Sequence, residues 1–135
     1  MKHFTLDGHM CALIGGVFYP TGHSVVMFPS AEDASRVGHH LIDSCGFTGD
    51  EIYLIPPDTM LSEIAPTVRE ADLPMPSAGT EGATVRAFIK LARDGHTALL
   101  VKTRNEEAAE RLMREVRKVD YSIAQRYRTL VIEDL

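Results

Sequence analysis

The chain lacks any apolar run long enough to cross a bilayer. A spanning helix needs about 20 consecutive apolar residues, and the longest candidate, Met10 to Tyr19, is interrupted by Gly15 and Gly16. Its opening, Met1-Lys2-His3-Phe4-Thr5-Leu6-Asp7, supplies none of the three parts of a secretory signal: basic region, apolar stretch and small-residue cleavage site. Cysteine is scarce. Cys11 and Cys45 stand in neither a C-x-x-C nor a zinc-type spacing, so there is no disulfide framework to read and the expected setting is the reducing cytoplasm. Positive charge is also short, with 14 Lys and Arg against 19 Asp and Glu and a net charge of -5. Each nucleic-acid phosphate that a protein neutralises takes a Lys or Arg, so this balance argues against a nucleic-acid partner. Neither G-x-S-x-G nor H-E-x-x-H occurs, and the acids and histidines are too scattered to make an acid-base pair. No catalytic residue and no cofactor is therefore expected.

What is present is a core. Leu, Ile, Val and Phe make up about a quarter of the 135 residues, above the level of disordered chains, and this length suits one domain. Ser24 to Phe28 is a short apolar, β-branched run ended by Pro29, which predicts a buried strand. Ser30 then caps a helix with Glu32 and Asp33 in its first turn and a stripe of Ala34, Val37, Leu41, Ile42 and Cys45, stopped by Gly46. Glu51 to Ile55 is a second strand, closed by Pro56-Pro57. Asp58 opens a short helix through Met60, Leu61 and Ile64 that Pro66 must break. Leu73 to Gly82 reads as a connector, and Thr84 to Arg93 as a helix with Val85, Phe88, Ile89 and Ala92 on one face. Thr97 to Lys102 predicts a third strand. Asn105 caps a helix with the stripe Ala109, Leu112, Val116 and Val119, and Ser122 to Glu133 predicts one long final strand.

An offset of about 75 residues superposes the two halves. Ser30 falls on Asn105 as cap on cap, Glu32 on Glu107, Ala34 on Ala109, Val37 on Leu112 and Leu41 on Val116. Two βαβ units of this kind, about 24–55 and 97–133, interleave into an α+β ferredoxin-like sandwich with both helices on one sheet face. Residues 58–95 are then a helical insertion and 1–22 an N-terminal strand extension, all within a single domain 1–135. Met10 to Tyr19 has no free place beside the first core strand in that sheet, so it either extends that strand through a bend, pairs at an edge or pairs with another copy of the chain, and we expect the last, giving a homodimer.

The short apolar strand, the P-S-x-E-D-A helix start and the C-G-F-T-G-D-E-I-Y lead into the next strand, within Ser24 to Pro56, resemble the duplicated α+β domain of bacterial heat-induced general stress proteins. The E-E-A-A-E helix and final strand are similar to that family's second unit. The resemblance implies a ferredoxin-like fold and stress-associated expression and implies no catalytic residue. Relatives often carry a Gly-rich stretch between the halves, where this chain has the helical Thr84 to Arg93.

Two clusters are candidate sites. Tyr121, Gln125, Arg126, Tyr127 and Arg128 gather aromatic and basic groups on the predicted last strand. They could hold a small ligand or stack RNA bases, or form a packing face with snorkelling arginines. His39, His40 and Asp43 share the first helix, with His39 and Asp43 at i,i+4, and could offer ligands to a metal, or form a solvated helix face. Cys45, on the apolar stripe, reads as a buried inert thiol, and Cys11 as inert or as intermolecular or reactive. Gly79-Thr80-Glu81-Gly82 could cradle an anion, but Glu81 opposes it and no G-K-[ST] follows. These readings together predict a non-enzymatic protein that works by self-association, a protein partner or a small ligand. Its working surface would be an exposed sheet face with the N-terminal strand and the connector. An RNA-contacting module and a metal or small-molecule sensor are the alternatives.

Overall fold

Val25-Val26-Met27-Phe28 and Ala98-Leu99-Leu100-Val101 are apolar at every residue, and all eight are buried. A strand with one wet face alternates; a strand without alternation has both faces covered. That is what the computed structural model shows, in which residues 1–12, 16–68 and 79–135 are described. The strands are β1 (Lys2–His3), β2 (His23–Phe28), β3 (Ile52–Ile55), β4 (Thr97–Lys102), β5 (Ile123–Tyr127) and β6 (Ile132–Asp134). They form one mixed sheet in the order β1-β3-β4-β2-β5-β6, in which only β1 and β3 pair parallel.

One face carries Val26, Phe28, Ile52, Leu99, Val101 and Ala124 and packs under α1 (Ala31–Ser44) and α4 (Glu106–Val116). Both helices begin at the expected caps: Ser30 Oγ accepts from Asp33 N and Asn105 Oδ1 from Ala108 N. Each cap satisfies a backbone N–H that has no partner within the helix. Most of each predicted stripe is buried, Ala34, Val37 and Leu41 on α1 and Ala109, Leu112 and Val116 on α4, while Ile42, Cys45 and Val119 are half-buried. Gly46, at φ +82°, turns the chain out of α1 in a conformation that a side chain would strain.

The opposite face was expected to be open and is not. Val25, Met27, Ile55, Ala98, Leu100 and Tyr127 are roofed by α3 (Gly79–Arg93), through Val85, Phe88 and Ala92, and by Met60 and Ile64. Those two belong to a helical stretch that starts as α2 (Pro57–Thr59) and ends at a 3₁₀ turn, Ala65–Thr67, which contains Pro66. The rest of the roof is the N-terminal segment: Phe4, Val17 and Phe18 are buried on this face. Met10 to Tyr19 is therefore not a free strand. Cys11 bridges Phe18, Tyr19 N donates to Met10 O at 2.6 Å and Phe18 N to Thr67 Oγ1 at 3.0 Å, so the segment folds back on itself and onto its own chain. Residues 13–15 lie outside the described residues, as do 69–78, which hold most of the expected connector. The remainder of that connector, from Gly79, is already the first turn of α3, which starts ahead of the expected Thr84.

The single long final strand is a second correction. Arg128 N donates to Val131 O at 2.8 Å, and the chain reverses into β6, which pairs Gln125 with Asp134 and Tyr127 with Ile132. Arg128-Thr129-Leu130-Val131 has no Gly, Pro, Asn or Asp to announce the turn.

Tyr127 is fully buried, with its ring edge-to-face to Phe18 at 6.2 Å and Tyr19 at 4.8 Å. Its hydroxyl is buried without a hydrogen-bond partner, and burial pushes its ionisation far above the ordinary phenol range. An unpartnered buried polar group costs about 1–3 kcal/mol. Tyr127→Phe is therefore expected to stabilise the fold by about 1 kcal/mol in urea denaturation; a loss of that size would show that the hydroxyl is satisfied in solution.

Candidate functional site

The β5–β6 turn meets the start of β2 and the end of β4 at one end of the sheet. Gly22 ties these ends together: its N–H donates to Tyr127 O and its carbonyl accepts from Thr103 N, both at 2.9 Å. Beneath them Ser24 Oγ and Thr103 Oγ1 share a buried hydrogen bond of 2.7 Å. Around this junction lies a groove of about 510 Å³, within the range that holds a small organic ligand. Arg104, Arg126 and Arg128 line it together with Thr21, Thr103 and Thr129, and Leu130 and Val131 stand at its rim.

Charge is unbalanced there. Arg126, on β5, is only 7% exposed, yet among the described residues its one ion-pair partner is Glu133 on β6, with Nη1 to Oε1 at 3.5 Å. Glu133 is shared with Arg128, Nη1 to Oε2 at 3.9 Å. Arg104 has no ion pair among the described residues. One carboxylate thus serves two of the three guanidinium groups, each of which has several fixed donors. A mostly buried charge held by one long contact to a shared carboxylate can gain from an anionic ligand that adds a closer partner. The rim is apolar and open: Leu130 is 92% exposed and Val131 56%.

The sequence cluster is thus only partly a site. Arg126 and Arg128 line the groove. Tyr127 borders it, but its ring is in the core between Phe18 and Tyr19 and offers no face to a base. Gln125 is spent on Asp134, Nε2 to Oδ1 at 3.2 Å. Tyr121, 38% exposed, lies in the loop entering β5, at the far end of that strand from Arg126. Thr103, Arg104 and Glu133 were not legible as site residues, because strand order alone brings them to Arg126. The sequence hint was Arg104 beside a helix cap, with no acid at i,i+4 to pair with it.

The metal candidates also separate. His39, His40 and Asp43 are all exposed on α1, and His39 and Asp43 form no ion pair among the described residues. His40 turns toward α4, with Nε2 at 3.2 Å from Glu115 Oε1. Cys45, expected to be buried, is the half-buried C-cap of α1, and its carbonyl accepts from Arg111 Nη1 at 2.7 Å. Arg111 also lies 4.7 Å over the Phe47 ring. That anchorage draws the end of α1 against α4, so His40, Cys45 and Glu115 each place one donor atom within 4.8 Å of the others. Burial raises the Cys45 thiol above its ordinary range, with Glu115 adding to the effect. The Lys118 ammonium, hydrogen-bonded at 3.0 Å, is the main reason Glu115 titrates below the usual carboxylate range. Cys11 is half-buried beside Phe18, and burial raises it too.

No family model, curated protein or solved structure matches this chain. Among the described residues no helix is long and apolar enough to cross a membrane.

Proposed function

We propose that the chain is a non-enzymatic binding protein whose ligand is a small anion with an apolar body. The observation that carries this reading is Arg126: a buried guanidinium with one long contact to a shared carboxylate, at the wall of a groove that two further arginines enter. The threonine hydroxyls suit the oxygens of a carboxylate or phosphate, and Leu130 and Val131 suit the ligand's apolar remainder. Ferredoxin-like architecture is part of the proposal. The central order β3-β4-β2-β5, antiparallel throughout with α1 and α4 on one face, supports it. Folds of this kind host many functions, so the site carries the argument and the fold does not. The resemblance to heat-induced general stress proteins adds a setting, cytoplasmic and stress-associated, to the same proposal.

Self-association is the second reading, and the observation favouring it is the pair of exposed rim residues beside β6, which ends the sheet. One set of measurements separates the two. Thermal denaturation and calorimetry are run with inorganic phosphate, hexanoate and hexyl phosphate, with chloride at matched ionic strength as the control and light scattering on the same samples. A melting temperature that rises most with hexyl phosphate and does not respond to chloride supports the anion site; a ligand at 100 times its Kd adds about 2.7 kcal/mol. Equal responses to every salt overturn it, and a dimer that no probe perturbs moves the assignment to association. Mixed RNA belongs in the same panel: tight, salt-dependent binding to it would replace the small ligand with the backbone phosphates.

A further inference from the structure

We propose that His40, Cys45 and Glu115 form a binding site for a divalent transition-metal ion of the zinc class, at the junction of α1 and α4 and separate from the arginine groove. Imidazole nitrogen, thiolate sulfur and carboxylate oxygen are all donors that zinc accepts. Three protein ligands leave a fourth tetrahedral position for water or another donor. The donor atoms lie within 4.8 Å of one another, and His40 Nε2 and Glu115 Oε1 are 3.2 Å apart. Metal-ligand bonds of about 2.0 to 2.3 Å put tetrahedral donors about 3.3 to 3.8 Å apart, so closure onto an ion takes side-chain movements of about 1 Å. His40 is exposed and Cys45 and Glu115 are half-buried, so an ion can enter and the side chains can adjust.

The helices favour a cation here. Cys45 is the C-cap of α1, and Glu115 stands in the last turn of α4. Carbonyl groups without intrahelical partners gather at such ends and place partial negative charge there. Two features set the strength of the site. The thiol must give its proton to solvent as the metal binds, and the raised ionisation of Cys45 opposes that step. Lys118, whose side chain is largely exposed, already occupies Glu115 at 3.0 Å and competes as the resident cation. Arg111, held by the Cys45 carbonyl and Glu107, is turned to other partners.

The test is a cobalt titration of the full chain, with zinc competition, in a Cys11→Ser background so that Cys45 is the one thiol. Expected are a one-to-one complex with a thiolate-to-cobalt charge-transfer band and the intense visible bands of a tetrahedral ion, both abolished by zinc. Cys45→Ser should remove the charge-transfer band. His40→Gln and Glu115→Gln should each weaken binding by about tenfold or more, since losing even an outer-shell partner costs about that much. His39→Gln should change nothing. Lys118→Ala should tighten binding by removing the competing ammonium, and this variant leaves every ligand in place, so it speaks even where a ligand substitution disturbs the fold. Cobalt bound without the charge-transfer band, a band that survives Cys45→Ser, or Lys118→Ala with unchanged affinity would each overturn the assignment.

Discussion

Phe18→Ala is expected to destabilise the protein by about 3 to 5 kcal/mol, the range for emptying a large aromatic site in a packed interior. Phe18 is fully buried, edge-to-face to Phe4 at 6.1 Å and to Tyr127 at 6.2 Å, and Thr67 holds its backbone N–H. The residue therefore joins three parts of the chain: its ring meets the N-terminal segment and β5, and its backbone the helical stretch after β3. Its removal both leaves a cavity and loosens the cover over Tyr127. Two readouts follow from those two effects. The urea midpoint should fall, and the Tyr127 phenol, held far above its ordinary range by burial, should ionise closer to about 10 once water reaches it. A loss below about 1 kcal/mol with unchanged tyrosine titration would mean that the N-terminal segment does not lie on the sheet in solution. That face would then be covered by α3 and the stretch around Met60 and Ile64 alone.

The elements that follow local rules were readable from the residues themselves. Ser30 and Asn105 cap their helices because a short polar side chain satisfies a free N–H wherever it sits, and the stripes of α1 and α4 need only helical spacing. The third layer was not read, although its signal was present. Val25 to Phe28 and Ala98 to Val101 do not alternate, and a sheet with one wet face would have required polar residues at every second position. Met10 to Tyr19 carries the same signal, since an apolar segment with no place in the sheet can serve as its cover. The β5–β6 turn was hidden because Arg128 to Val131 lacks turn residues and instead presents Leu130 and Val131 to solvent. The two sites were half legible. Arg126, Arg128 and His40 could be picked out by residue type. Their partners Arg104, Glu133, Cys45 and Glu115 depend on strand order and helix packing, which local pattern does not encode.

Glu133→Gln provides the second large effect, and it works in opposite directions on stability and binding. Among the described residues Glu133 is the one carboxylate serving both Arg126 and Arg128. Its neutralisation leaves the buried Arg126 charge without a counter-ion, a loss of about 1 to 3 kcal/mol for a charged group that keeps only weak hydrogen bonds; the 3.5 Å contact and the partial exposure of Glu133 place the expectation at the lower end. The same change frees two guanidinium groups toward the groove, so an anionic probe such as hexyl phosphate should bind about tenfold tighter. Saturating probe should then restore much of the lost stability, because a ligand that binds only the folded chain adds about 1.4 kcal/mol for each tenfold excess over its Kd. Arg126→Ala should show the reverse pattern in binding. With the guanidinium gone the probe loses charge-assisted hydrogen bonds worth about 1.5 to 3 kcal/mol, a weakening of about tenfold to hundredfold. A merely structural ion pair would give a different result: both substitutions would lower stability, and neither would change affinity for the probe. If Glu133→Gln leaves hexyl phosphate binding unchanged or weaker, the arginines do not meet an anion in this groove. Their crowding around one carboxylate would then be a property of the β5–β6 hairpin alone.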